Sequence, residues 1–263
     1  MGVLEGRRVV VVGASAGIGR AFAEQAIAEG ARVVLAARRS EVLDELVAAA
    51  GAGAALRVDV CDAEDCTALA EAARRELGEV DVVLHAAASA PLRRLVDMTT
   101  ADWQQVMATN LIGVQHVIGA LLPVLAPGAV VAVMSSETIG QPRAGLVGYA
   151  ASKAALEESL RGWHTEHPGV RFSCIAVGST VPTEFGIGFE MELLTDLMAD
   201  WARHGLSQES FMDATELGTA LVRIVGAVLP YPEINLEHVL VRSPSGVVGT
   251  PEMMQAAAEG MRR

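Results

Sequence analysis

The strongest constraint on this chain is an alternation of short β-branched runs with helical segments that repeats from one end to the other. Val9–Val12 stops at Gly13 and reads as a strand buried on both faces. Ile18–Glu29 carries apolar residues at helical spacing and is closed by Gly30, as a C-cap would close it. Arg32–Ala36 is again strand-like, and Ser40 can cap a helix whose inner face holds Leu43, Leu46 and Val47. The rhythm continues with strands at Leu56–Val60, Val80–His85, Val130–Met134, Val170–Val177 and His238–Val241. Helices fall between them at Ala63–Leu77, Ala101–Leu125, Tyr149–His164 and Thr215–Leu229. Helices joining successive strands force parallel pairing through crossovers. The expected fold is therefore α/β: a doubly wound, Rossmann-like parallel sheet of about seven strands with helices on both faces, in three layers. With no repeat, low-complexity tract or Pro/Ser-rich linker, residues 1–263 read as one domain.

One stretch breaks the alternation. No strand is expected between Gly178 and Asp213, only a loop and a helical pattern at Met191–Arg203, so residues 179–213 read as an inserted substrate lid. The segment leaves a strand's carboxyl end, where open α/β sheets bind ligands. It is rich in apolar residues, among them Phe185, Ile187, Phe189, Met191, Leu197, Trp201 and Phe211, interspersed with acids. Such a roof favours a neutral, apolar small-molecule substrate over an anion.

Composition excludes several function classes. Hydrophobic residues make up 51% of the chain and charged residues 20%, enough apolar material for a large core. A net charge of -12 argues against nucleic acid or an anionic membrane as partner. No signal peptide is expected at the N-terminus, and the apolar runs fall short of the ~20 residues of a membrane span. Cys61, Cys66 and Cys174 cannot all pair and read as free thiols in a cytoplasmic setting. His164 and His167 flank Glu166 without an evident third ligand, so no metal is expected.

The first strand-to-helix turn reads Gly13-Ala14-Ser15-Ala16-Gly17-Ile18-Gly19. Glycines there allow a tight turn and close approach of a pyrophosphate to the backbone at a helix N-terminus. The second strand ends in Arg38-Arg39 about twenty residues later, where an acid would hold a ribose 2′-hydroxyl and an arginine suits a 2′-phosphate. NADP(H) is therefore expected over NAD(H). Arg38 is expected to be the stronger of the two arginines, since adjacent side chains at a strand end diverge.

Tyr149 and Lys153 stand four residues apart on one face of an expected helix. An ordinary phenol titrates near ~10, and a neighbouring ammonium should lower that value towards neutrality. Ser136, just beyond the Val130–Met134 strand, could orient a substrate oxygen.

Taken together these residues resemble the short-chain dehydrogenase/reductase family, in its single-domain Ser-Tyr-Lys branch, over essentially the whole chain. The matching positions are Gly13, Gly17, Gly19, Asp59-Val60, Asn110, Ser135-Ser136, Tyr149–Lys153 and Thr183. The resemblance implies an NADP(H)-dependent oxidoreductase that interconverts a ketone and a secondary alcohol. It implies that Tyr149 exchanges the proton, that Lys153 lowers its pKa and holds the nicotinamide ribose, and that Ser136 binds the reacting oxygen. Asn110 would anchor a water behind Lys153, Asp59 would meet the adenine, and Thr183 the nicotinamide amide. Ser15, Ile18, Val60 and Ala87 complete the implied cofactor set. Relatives often form homodimers or homotetramers, and the apolar Ala101–Leu125 helix with the alanines of the Tyr149–His164 helix would supply the contact. Two departures stand out: His85-Ala86-Ala87-Ala88 replaces the usual Asn-Asn-Ala-Gly, and Val177 replaces the proline before Gly178. The alternative is a cofactor-binding sensor or structural protein with little catalysis.

Overall fold

The computed structural model describes residues 2–50 and 53–246; the part of the expected domain at 247–263 lies outside them. Seven strands form one parallel sheet in the order β3-β2-β1-β4-β5-β6-β9. They are β1 (Arg8–Val12), β2 (Arg32–Ala37), β3 (Ala54–Arg57), β4 (Val80–His85), β5 (Leu125–Ser136), β6 (Arg171–Val177) and β9 (His238–Val241). The central runs are continuous aliphatic sequence because both faces are covered. One face packs on α3 (Ala63–Leu77), α5 (Gly113–Leu121) and α6 (Val147–Glu166), through Val10, Val83, Val117, Leu156 and Leu160. The other packs on α1 (Gly17–Ala28), α2 (Ser40–Ala50) and α8 (Ala214–Val228), through Val9, Val11, Phe22, Leu43 and Leu221. The strand order reverses between β1 and β4, and this switch opens a crevice beyond their carboxyl ends.

Three expectations change in detail. The third strand ends at Arg57 rather than Val60, so Asp59 and Val60 lie in the loop after it. The long helix is α4 (Thr100–Met107) and α5 joined by a π-helical turn at Ala108–Ile112, and a 3₁₀ turn at Leu122–Val124 containing Pro123 precedes β5. By length and composition, the continuous run Thr100–Val124 could cross a membrane, contrary to the sequence reading. Here Val106, Val114, Val117, Ile118 and Leu121 are buried in the protein itself. Finally, residues 179–213 do contain strands: β7 (Thr180–Val181) pairs in parallel with β8 (Met212–Asp213), drawing the two ends of the insertion together around α7 (Met191–Arg203). Alternation over two residues is too short a pattern to be read from sequence.

Candidate active site

The glycine loop is dictated by crowding. Gly13 has φ +85°, and a Cβ there would lie 2.6 Å from the backbone nitrogen of Ala87; a Cβ on Gly19 would lie 2.3 Å from the Gly13 carbonyl. Only glycine lets β1, α1 and the end of β4 meet this closely. Helix α1 starts at Gly17 with no side-chain cap from Ala16 and no acid in its first turn, so its first N–H groups are left for an anion. Ser15, Gly17 and Ile18 line this loop half-buried. The arrangement fits the pyrophosphate of a dinucleotide.

The two arginines diverge in the reverse of the expected order. Arg38 is exposed and makes no hydrogen bond among the described residues, whereas Arg39 turns to the loop and donates to Ser15 Oγ at 3.1 Å. Arg39 also donates through both terminal nitrogens to the carboxylate of Glu184, at 2.6 Å each. Asp59 is half-buried, accepting from the Cys61 N–H at 3.0 Å. Val60 fits the cofactor set less well: its side chain packs on Gly113 in the core and its carbonyl accepts from the Cys66 thiol.

Tyr149 and Lys153 lie on the buried face of α6, against β5. Lys153 Nζ donates to the Met134 carbonyl at 2.8 Å and stands 5.9 Å from the centre of the Tyr149 ring. Ser136, the last residue of β5, accepts from the N–H and hydroxyl of Thr138. Asn110 is wholly buried at the π turn; its amide donates to Ser152 Oγ and the Ser89 carbonyl and accepts from the Ser89 N–H. Ser152 in turn donates to the Tyr149 carbonyl. Asn110 thus braces the first turns of α6, the stretch that carries the tyrosine.

The electrostatics correct one expectation. Burial pushes the Tyr149 phenol up to about 12, with the Ser136 hydroxyl pulling the other way. Lys153 is itself lowered to about 8 by burial. Burial is the largest cause of both shifts, and Lys153 is not among the causes acting on Tyr149. His85, at the end of β4, is buried with Nε2 lacking a hydrogen-bond partner, and burial and the Lys153 charge lower it to about 3. It enters the site as a neutral imidazole.

The model for short chain dehydrogenases matches residues 7–190. The galactitol 2-dehydrogenase of Cereibacter sphaeroides is 32% identical over 75% of this chain and 80% of its own length. The glycine betaine reductase ATRR of Emericella nidulans is 31% identical over 73% of this chain, which corresponds to only 16% of that longer protein. Among solved structures, a short chain dehydrogenase from Burkholderia cenocepacia in complex with NADP superposes with a TM-score of 0.77 at 25% identity, covering 91% of this chain and 97% of that one. The chain belongs to the short-chain dehydrogenase family. It is an oxidoreductase of the NAD(P)-dependent dehydrogenase/reductase kind.

In this dehydrogenase the inserted segment reaches the site through Thr183 and Phe185, both named in the sequence reading. Thr183 sits on the glycine loop, 3.3 Å from where a Gly17 Cβ would be. Phe185 meets Tyr149 edge-to-face with ring centres 5.1 Å apart. Leu194 and Leu197 of α7 are buried against Leu92 and Leu146, and Trp201 donates to the Ala144 carbonyl, so it serves packing. Next to Ser136, Glu137 and Arg143 form a buried ion pair at 2.6 Å, and Arg143 also donates to the Leu206 carbonyl beyond α7. A charge directly after the strand-end serine was the available signal for this pair.

A metal-like grouping exists elsewhere: Glu157, Cys174 and His238 bring ligand atoms within 4.8 Å of one another. The Glu157 carboxylate is already the acceptor for Ser135 Oγ at 2.6 Å and the Cys174 thiol at 3.2 Å. Burial and that carboxylate push the thiol up to about 12, and His238 Nε2 lies 3.6 Å from the same carboxylate.

Proposed function

We propose that this dehydrogenase uses NADP(H) to interconvert a neutral, apolar ketone and its secondary alcohol, with Tyr149 exchanging the proton. The observation that carries the reading is the Tyr149–Lys153 pair buried on α6, beside Ser136 at the end of β5 and across the crevice from the glycine loop. Gly13, Ser15, Gly17, Ile18 and Gly19 would hold the pyrophosphate, Arg39 and Arg38 the 2′-phosphate, Asp59 the adenine, and Ala87, Lys153 and Thr183 the nicotinamide half. A bound nicotinamide would supply the hydride chemistry at the carbonyl or carbinol carbon. Ser136 accepts or donates a hydrogen bond at the reacting oxygen and fixes its position. Tyr149, held protonated by its surroundings, gives its phenolic proton to the oxygen as negative charge develops there, and Lys153 stabilises the phenolate left behind.

The lid's apolar residues support the substrate class. Ile187 and Met191 stay exposed on it, Phe185 faces Tyr149, and the nearby cation Arg143 is neutralised by Glu137. The exposed Ala151 and Ala154 of α6 and the exposed Ile112 support assembly as a homodimer or homotetramer, and three free thiols suit a reducing cytoplasm. The test is consumption of NADPH with a panel of neutral ketones, keto acids and polar carbonyls. Turnover confined to apolar ketones is expected. Turnover best with a keto acid overturns the substrate class, and binding of NADPH with no turnover of any member overturns catalysis in favour of a cofactor-binding protein.

A further inference from the structure

The glycine loop, the end of β2 and the start of the lid meet at a single ion pair. Glu184 directly follows Thr183, which rests on Gly17, and directly precedes Phe185, which rests on the Tyr149 ring. Its carboxylate takes both terminal nitrogens of Arg39 at 2.6 Å, while the same guanidinium donates to Ser15 Oγ. Three consecutive residues therefore tie the lid to the cofactor loop, to the arginine beside it and to the tyrosine. The guanidinium fork that suits a phosphate bidentately is filled by a carboxylate of the protein's own.

We propose that Glu184 is a specificity-determining latch, competing with a cofactor 2′-phosphate for Arg39; this rests on the cofactor reading above. A 2′-phosphate brings about two negative charges to a fork that already holds one. It can engage Arg39 only by displacing Glu184, and with Glu184 the stem that carries Phe185 over Tyr149. A cofactor with a bare 2′-hydroxyl has no charge to exchange and leaves the latch closed. Glu184 thus lowers the preference for NADP(H) below what Arg39 and Arg38 would give alone. It also couples the phosphorylated cofactor, and not its unphosphorylated counterpart, to opening of the lid over the phenol. The pair is largely solvent-exposed, with side chains 48% and 43% accessible, so it is weak enough to be exchanged.

The experiment compares dissociation constants of NADP⁺ and NAD⁺, by calorimetry, for the unaltered protein, Glu184→Gln and Arg39→Ala. Hydrogen exchange of residues 183–190 is followed with each nucleotide. Glu184→Gln should tighten NADP⁺ by about three- to fivefold, the scale of an exposed bidentate pair, and leave NAD⁺ within twofold. In the unaltered protein NADP⁺ should speed exchange in the lid stem relative to NAD⁺, and Glu184→Gln should remove that difference. If NADP⁺ is preferred and Arg39→Ala abolishes the preference, yet Glu184→Gln leaves both constants unchanged or shifts them equally, the latch is wrong and the cofactor reading stands. If the unaltered protein binds neither nucleotide, or binds both equally with Arg39→Ala without effect, the cofactor reading and the latch fall together.

Discussion

The two walls of the crevice are built in opposite ways. On one side Ser136, Tyr149, Lys153 and Asn110 project from β5, α6 and the π turn, all of them buried. Their positions follow from packing on a seven-stranded sheet. On the other side the stretch from Gly178 to Asp213 has two strands of two residues, a single long helix and exposed Ile187 and Met191. It meets the rest of the protein through Arg39–Glu184, Thr183 on the glycine loop, Tyr149–Phe185, Ala144–Trp201, Arg143–Leu206 and the buried cluster of Leu194 and Leu197 with Leu92 and Leu146. Reactive groups need placement to a fraction of an ångström, which a close-packed interior supplies. Choice of substrate and cofactor needs surfaces that can be reshaped without disturbing that placement, and a segment outside the sheet supplies those.

The sharpest way to break this division is Tyr149→Phe. On the rigid wall it should lower kcat by at least ~10²–10⁴ while nucleotide binding survives. Phe185→Ala, its contact partner on the lid, should cost less than about tenfold and act mainly through KM. Stopped-flow hydride transfer measures both. More than about a tenth of the original kcat in Tyr149→Phe removes the phenol from the proton path.

The next effect belongs to the seam between the walls. Arg39→Ala should reduce the ratio of NADPH to NADH efficiency by roughly ten- to a hundredfold, the worth of a charge-assisted hydrogen bond. Arg38→Ala, with an exposed side chain, should reduce it less. Steady-state kinetics with both cofactors decides the order, and a larger effect at Arg38 returns the site to the order first read from sequence.

A third measurement tests the rigid wall alone. His85 is held neutral in the fold down to about pH 3, while in the unfolded chain it takes a proton near its usual ~6.5. Below that value the unfolded state binds more protons, so stability falls as pH falls, through the window from 6.5 to 3. Between pH 7 and pH 5 the loss from this residue is roughly 2 kcal/mol. Urea denaturation of the unaltered protein and His85→Asn across that range should show the variant losing correspondingly less; parallel curves would place His85 outside the acid response.

The smallest effect lies on the lid. Lengthening an apolar ketone one methylene at a time should raise kcat/KM by up to about fourfold per step, the ~0.8 kcal/mol of a buried CH₂. A flat series would mean that the exposed apolar residues of 179–213 face away from substrate.

Much of this molecule was legible in advance, for an identifiable reason. The strand-helix alternation, the crowded glycines and the Tyr149–Lys153 spacing are patterns carried by residues a few positions apart, and backbone geometry turns such patterns into structure with little ambiguity. The element ends were less legible: the π turn around Asn110, the strand that stops at Arg57 and the two-residue pair β7–β8 each depend on neighbours distant in sequence. What the sequence determined by itself was the sheet, its crevice and the identity of the groups placed there. What only the tertiary structure decided was how those groups are set. Arg39 rather than Arg38 turns to the loop because it meets Glu184, 145 residues away. Tyr149 is raised rather than lowered because its own burial outweighs the hydrogen bond from Ser136. Spacing along a helix tells which charges are neighbours, but the free energy of removing them from water depends on everything packed around them, and that exists only once the chain has folded.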